Sequence, residues 1–353
     1  MADFAVDLLK LIPVDESMVM SPLSLIVALD VLERGADGIT KREINEALKR
    51  DSKNGIAELL KTLDQADGVA TALATKLFLA LDVEIRQDYN DYIQNDYKVV
   101  AEHLDFKDKI LAIETVNNFV AAATRKMIPK LLNDDYYHPE MRALLINAVH
   151  FKGLWAAPFS AQSTRKDTFH GIKGDREELF MRYQALEFCG YNNEEGTETL
   201  TIPYKNGKYR FVIFLPAQNR FEEFRSNLDS KVLRQLHQNA KGCIVDVTIP
   251  KIKLSSEPPM KEMLQQLGIR QLFSENCDLK GVSNEESLYI DDVIHKAVVE
   301  VNEEGTEAAA VTAATVELMS CVINPYATIF RADRPFIYGI YCNDEPIFIG
   351  QYC

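Results

Sequence analysis

The run Glu303-Glu304-Gly305-Thr306-Glu307-Ala308-Ala309-Ala310-Val311-Thr312-Ala313-Ala314-Thr315-Val316-Glu317-Leu318-Met319-Ser320 follows directly on a strand-like segment, Val293 to Val301. Written as a strand, its side chains alternate between two faces. Thr306, Ala308, Ala310, Thr312, Ala314, Val316 and Leu318 share one face, all uncharged, while Glu307 and Glu317 fall on the other. Such a segment can enter a sheet with its neutral face to the core and its carboxylates in water. It can equally stay outside, because its alanines leave little apolar area exposed. The pattern is that of a strand able to move. The competing reading makes Ala308 to Ala314 helical, since alanine has the highest helix propensity.

The surroundings favour the strand. The chain has 353 residues, 47% hydrophobic and 26% charged, enough for one large core or two ordinary ones. A net charge of −14 repels phosphate backbones and polyanionic sugars, which argues against nucleic acid as a partner. The densest basic neighbourhood, Arg125-Lys126 with Lys130, reads as a solvated helix face. No apolar run reaches membrane-spanning length, so no membrane partner is expected. Met1-Ala2-Asp3-Phe4 lacks the basic start and apolar region of a secretory signal, and no Asn-x-Ser/Thr acceptor occurs. The six cysteines carry no metal-ligand spacing and suit a reducing compartment. The expected location is therefore cytoplasmic, or outside after release without a signal peptide, with no cofactor and no metal.

Helical spacing of Phe4, Leu8, Leu11 and Ile12 predicts a first amphipathic helix. Ser21-Pro22 supplies an N-cap and a proline for the next, apolar almost all round at Leu25 to Leu29 and ended by Gly35. Thr40-Lys41-Arg42-Glu43 reads as a capping box, Ile56 to Leu63 as a further helix, Val69 to Ile85 as a strand, and Ile113 to Leu132 as a long helix interrupted near Pro129. From Ala143 onward strands dominate: Ala143 to Phe151, Tyr209 to Leu215 after the turn Asn206-Gly207, Cys243 to Leu254, Tyr289 to Val301, Phe336 to Cys342 and Ile347 to Tyr352. Met260 to Leu267 is a helix stopped by Gly268. With no repeat and no linker, an interwoven α+β domain over residues 1–353 is expected.

Several of these segments resemble the serpins. Phe330-Arg331-Ala332-Asp333-Arg334-Pro335-Phe336-Ile337-Tyr338-Gly339-Ile340 fits that family's signature position by position. Asn147-Ala148-Val149-His150-Phe151-Lys152-Gly153-Leu154-Trp155, Ser21-Pro22-Leu23-Ser24, Gly35-Ala36-Asp37-Gly38-Ile39-Thr40 and His295-Lys296-Ala297 match in order, and Glu303 to Ala310 looks like the hinge of an inhibitory member. The resemblance implies three β-sheets (A, B and C) with eight or nine helices and an exposed reactive-centre loop, here about residues 303–329. The compressed stretch from Asp51 to Gly68 departs from the family and, with the acidic charge, argues against heparin binding.

What the resemblance implies about function is specific. A serine protease attacks the residue before a scissile bond in the loop and forms an acyl-enzyme. The cleaved loop then adds to the main sheet as a strand, carrying the trapped protease with it; loop insertion of this kind is a known switching mode. The implied hinge is Glu304, Gly305, Thr306, Glu307, Ala308, Ala309 and Ala310: glycine for backbone freedom, threonine for burial without charge, alanines without bulk. Counting seventeen residues from Glu303, as in relatives, puts the scissile bond between Met319 and Ser320, flanked by Leu318, Glu317 and Cys321. Counting back from Phe330 would allow Cys321, and cleavage after Leu318 is a further alternative. Methionine suits an apolar S1 pocket of the chymotrypsin, cathepsin G or elastase type, not a trypsin-like one. Exposed Met319 and Cys321 would be oxidisable. Ser21, Ser24, Asn147 and His295 look like the family's shutter and Trp155 like its breach residue; the plain alternatives are a satisfied core histidine and a packed core tryptophan.

Rival classes are weaker. An enzyme would need a nucleophile elbow, a zincin helix or a phosphate-binding glycine loop, and none is present. A non-inhibitory serpin acting as chaperone or carrier, and cross-class inhibition of papain-like cysteine proteases, stay open as alternatives. The expected state is a metastable monomer acting as a suicide substrate, whose partner is a target serine protease in a covalent acyl complex.

Overall fold

The apolar helix that begins at Pro22 becomes the floor between two sheets. The computed structural model describes residues 1–49, 68–284, 288–306 and 327–353. Its eight α-helices among the described residues are α1 (Ala2–Leu11), α2 (Pro22–Gly35), α3 (Gly38–Leu48), α4 (Gln87–Tyr97), α5 (Lys109–Ala123), α6 (Phe221–Asn227), α7 (Ser230–Asn239) and α8 (Met260–Gln266). Ser21 caps α2 as expected, its Oγ accepting from the Ser24 amide at 3.2 Å.

One sheet has six strands: β10 (Ile252–Ser256), β11 (Asp292–Val301), β12 (Gly305–Thr306), β4 (Ala143–Leu154), β2 (Val69–Ala80) and β3 (Ala101–Leu104), in that spatial order. β4 and β11 run parallel and pair directly from Leu144↔Asp292 to His150↔Val298. Above that zipped portion β12 sits between them, antiparallel to both. Even-numbered positions of β4 (Leu144, Ile146, Ala148) pack on Ala112, Val116 and Val120 of α5. The opposite face of β4 turns to α2, whose side chains are buried along nearly its whole length.

The other sheet has nine strands: β1 (Met18–Met20), β15 (Glu345–Tyr352), β14 (Phe336–Cys342), β8 (Tyr209–Pro216), β7 (Thr197–Pro203), β6 (Gly174–Glu194), β9 (Lys241–Pro250) and β13 (Thr328–Arg331) in order, with β5 (Arg165–Gly171) on β6. β6 is the reason the second and third expected sheets are joined. It runs unbroken for 21 residues, with register shifts between Tyr183 and Leu186 and between Leu186 and Cys189 that bend it from one layer into the next.

Three local readings change. Thr40 is not a cap: Asp37 precedes α3, and buried Thr40 instead accepts the Asp278 amide at 2.9 Å. α5 stops at Ala123 rather than running to Leu132, because the Thr124 hydroxyl donates to the Val120 carbonyl and accepts the Ile128 amide, after which Arg125 and Lys126 take positive φ. The strand foreseen from Cys243 to Leu254 is two strands, broken at Lys251, that belong to different sheets. The helix foreseen over Ile56 to Leu63 lies outside the described residues.

Candidate functional site

Where β11 ends, the chain makes a tight turn. The Asn302 side-chain Oδ1 accepts the amides of Glu304 (3.0 Å) and Gly305 (3.2 Å), and the Asn302 amide donates to the Gly305 carbonyl at 2.8 Å. The turn delivers Gly305 and Thr306 between the sheet's two central strands, with Gly305 facing Leu154, and Thr306 facing both Gly153 and Val301. No other residue fits at 305. φ is 157°, and a Cβ there would lie 2.0 Å from the Gly153 carbonyl oxygen.

Thr306 is fully buried, and its hydroxyl is 2.6 Å from that of Tyr204. Tyr204 stacks on Trp155, ring centroids 4.7 Å apart and 12° from parallel, and burial pushes its phenol pKa up. Trp155 reaches back across the gap: its indole N–H donates to the Asn302 carbonyl at 2.9 Å and its amide to the Glu304 carbonyl at 3.0 Å. So the tryptophan is not merely packed; it ties the turn to the end of β4.

Glu303 anchors the outer side. One carboxylate oxygen accepts from Lys251 at 2.8 Å and the other from Thr164 at 2.7 Å. Burial opposes ionisation of Glu303, but those two bonds, its own backbone amide and the Lys251 charge together hold its pKa below the ordinary carboxylate value.

Lower down, the two central strands are in contact and a polar cluster crosses the seam. Asn147 of β4 faces His295 of β11 in register. The Asn147 Oδ1 accepts from His295 Nδ1 at 2.7 Å and from the Ser24 hydroxyl at 2.8 Å. Its amide nitrogen donates to the Ser24 carbonyl at 3.0 Å and the Thr75 hydroxyl at 2.9 Å. With Nδ1 donating, His295 Nε2 is left to accept the Ser21 amide at 3.3 Å, which makes the imidazole neutral. Ser21 Oγ donates to the Ile347 carbonyl of β15 at 2.7 Å, linking this network to the second sheet. Burial pushes the His295 pKa down to about 3, the bond to Asn147 opposing only in part. All four polar residues foreseen here thus meet in one satisfied cluster, with Thr75 as a fifth member.

The sequence reading missed Asn302, Tyr204, Lys251 and Thr75. For Asn302 a signal existed, an asparagine ahead of Glu-Glu-Gly that forms a side-chain turn. The remaining calls, Glu307, Ala308, Ala309, Ala310, Glu317, Leu318, Met319, Ser320 and Cys321, lie outside the described residues.

A family model described as "Serpin (serine protease inhibitor)" matches residues 1–353. The chain is a serpin. A "Serine protease inhibitor" of Cyanea capillata is 32% identical over 96% of this chain and 92% of its own length. Among solved structures, the thermophilic serpin tengpin in its native state superposes with a TM-score of 0.89 at 30% identity, over 99% of this chain and 92% of that one. A serpin of the insect Tenebrio molitor, described as highly specific, gives 0.86 at 26% identity over 99% and 94%. As a serpin the protein belongs to a family of protease inhibitors rather than catalysts. Among the described residues of this serpin, no helix is long and apolar enough to cross a membrane and no three side chains group as metal ligands.

Proposed function

We propose that this serpin is a suicide-substrate inhibitor of chymotrypsin-like serine proteases with an apolar S1 pocket. It is cleaved after Met319 and traps the acyl-enzyme by inserting its loop between β4 and β11. Support for insertion comes from the register of β12. Thr306 faces Gly153 on one side and Val301 on the other. Stepping both registers forward six residues brings Thr312 opposite Asn147 and, independently, opposite His295. Those two residues face each other now. The two strands flanking the gap therefore agree on a single phase for an entering strand.

In that phase Thr312 shares a face with Thr306 and turns toward α2. Its hydroxyl, a donor and an acceptor, can replace the Asn147–His295 bond that its entry would break. Glu307 and Glu317 take the opposite face. An entering strand would thus open the polar seam and restore its hydrogen bonds, which is what a closed but openable gap needs. The reading includes a monomer acting in the cytoplasm, independent of heparin.

The test is to mix the protein with chymotrypsin, cathepsin G and neutrophil elastase. A complex that survives SDS, with a released peptide beginning at Ser320, is expected. Cleavage at that bond by all three, or by a papain-like cathepsin, with no complex formed would make the protein a substrate and support a carrier or chaperone role.

A further inference from the structure

In the nine-stranded sheet, far along the chain from the hinge, two cysteines stand opposite each other. Cys189 of β6 and Cys243 of β9 are partners in antiparallel register. Residues so placed have Cα atoms about 4.5–5.5 Å apart, inside the span a disulfide bridges. Both are free thiols. The Cys189 sulfur already lies 3.2 Å from the Cys243 carbonyl oxygen, and the Cys243 sulfur leans the other way, 3.5 Å from the Thr328 hydroxyl on β13.

We infer that Cys189 and Cys243 form a reversible cross-strand disulfide, made by exchange with a low-molecular-weight disulfide of the glutathione type. Half-buried Cys243 is the entering nucleophile. Burial pushes the Cys189 thiol up to about 11, which keeps it protonated and leaves Cys243 the first to react. Cys243 as thiolate attacks the S–S bond of the oxidant and expels one glutathione, which takes up the proton. Cys189 then displaces the second glutathione from the mixed disulfide, and its proton leaves with that thiol. Two protein thiols and one small disulfide become one protein disulfide and two small thiols. The bridge would link positions 54 residues apart and fix β9, which carries β13, to β6.

The native, full-length protein would be incubated with glutathione disulfide, alkylated, unfolded and mapped by mass spectrometry. The expected result is a mass loss of two hydrogens, a linked peptide joining Cys189 to Cys243, and a higher thermal midpoint that dithiothreitol reverses. In Cys189→Ser the reaction should stop at one glutathione held on Cys243. Both cysteines found alkylated, or linked only after denaturant is added, or bridged to other cysteines, would overturn the inference.

Discussion

At its upper end the pair β4 and β11 is held apart by Gly305 and Thr306; a few rungs lower the same strands touch through Asn147 and His295. The upper contact is made of an aromatic stack, one threonine hydroxyl and main-chain bonds. The lower is a buried network in which every polar group of the Asn147 amide is used. A wedge and a clasp on one pair of strands teach that the sheet is built already opened at one end. Under the proposed insertion, progress of the opening is governed by polar groups that cannot be left unpaired.

The sharpest way to break this comparison is to charge the wedge. Thr306→Arg places a guanidinium at a fully buried rung, so the hinge should stay out. SDS-stable complex with the target protease should fall at least about tenfold, most of the loop being cleaved as plain substrate. Gel densitometry reads both. On the clasp, Asn147→Ala strands the Ser24 and Thr75 hydroxyls and His295 Nδ1. It should lower resistance to urea by about 3–5 kcal/mol, with little change in how fast the protease first cuts.

Acid should loosen the clasp and spare the wedge. His295 and His150 have pKa values lowered to about 3 and about 4 by burial, against an unfolded value near 6.5. The unfolded chain therefore binds more protons below that value. Stability is full above about pH 6.5 and declines as pH falls toward 4, by about 1.4 kcal/mol per pH unit for each histidine. Urea unfolding across that window should show the slope, and His150→Phe should remove roughly half of it.

Smaller effects sharpen the picture. Thr312→Val keeps the shape of the entering strand but cannot pair Asn147 and His295. The cleaved form should lose about 1–3 kcal/mol of its gain in stability, seen by thermal scanning of cleaved against intact protein. Lys251→Ala removes a partly exposed ion pair from Glu303 and should cost about 1 kcal/mol or less, falling further in high salt.

Local signals made much of this legible in the sequence. Ser21-Pro22 announces its cap because the bond it makes is three residues away. The alternation around Thr306 announces a face because the strand period is two. Tyr204 was invisible because its partner is 102 residues distant, and nothing in Pro203-Tyr204-Lys205 distinguishes a wedge tyrosine from a core one. Lys251 hides for the same reason, and its role emerges only once β9 ends at Pro250 and the chain changes sheets. α5 was overdrawn because the apolar periodicity continues to Leu132, while one threonine hydroxyl ends the helix. β6 was missed because much of its length is solvated and rich in Glu and Arg, the pattern of a loop when read without its partners.

A stub of two residues also settles a question of phase. Side chains in a strand repeat every second position, so under the proposed insertion the seating of Gly305 and Thr306 would decide which face each later residue shows. Deleting Val311 alone would leave charge and the hinge residues Glu304 to Ala310 untouched. Yet it would turn every following side chain over, delivering Glu317 toward α2 and Thr312 toward α5. The loop can drift in sequence far more freely than it can drift in length.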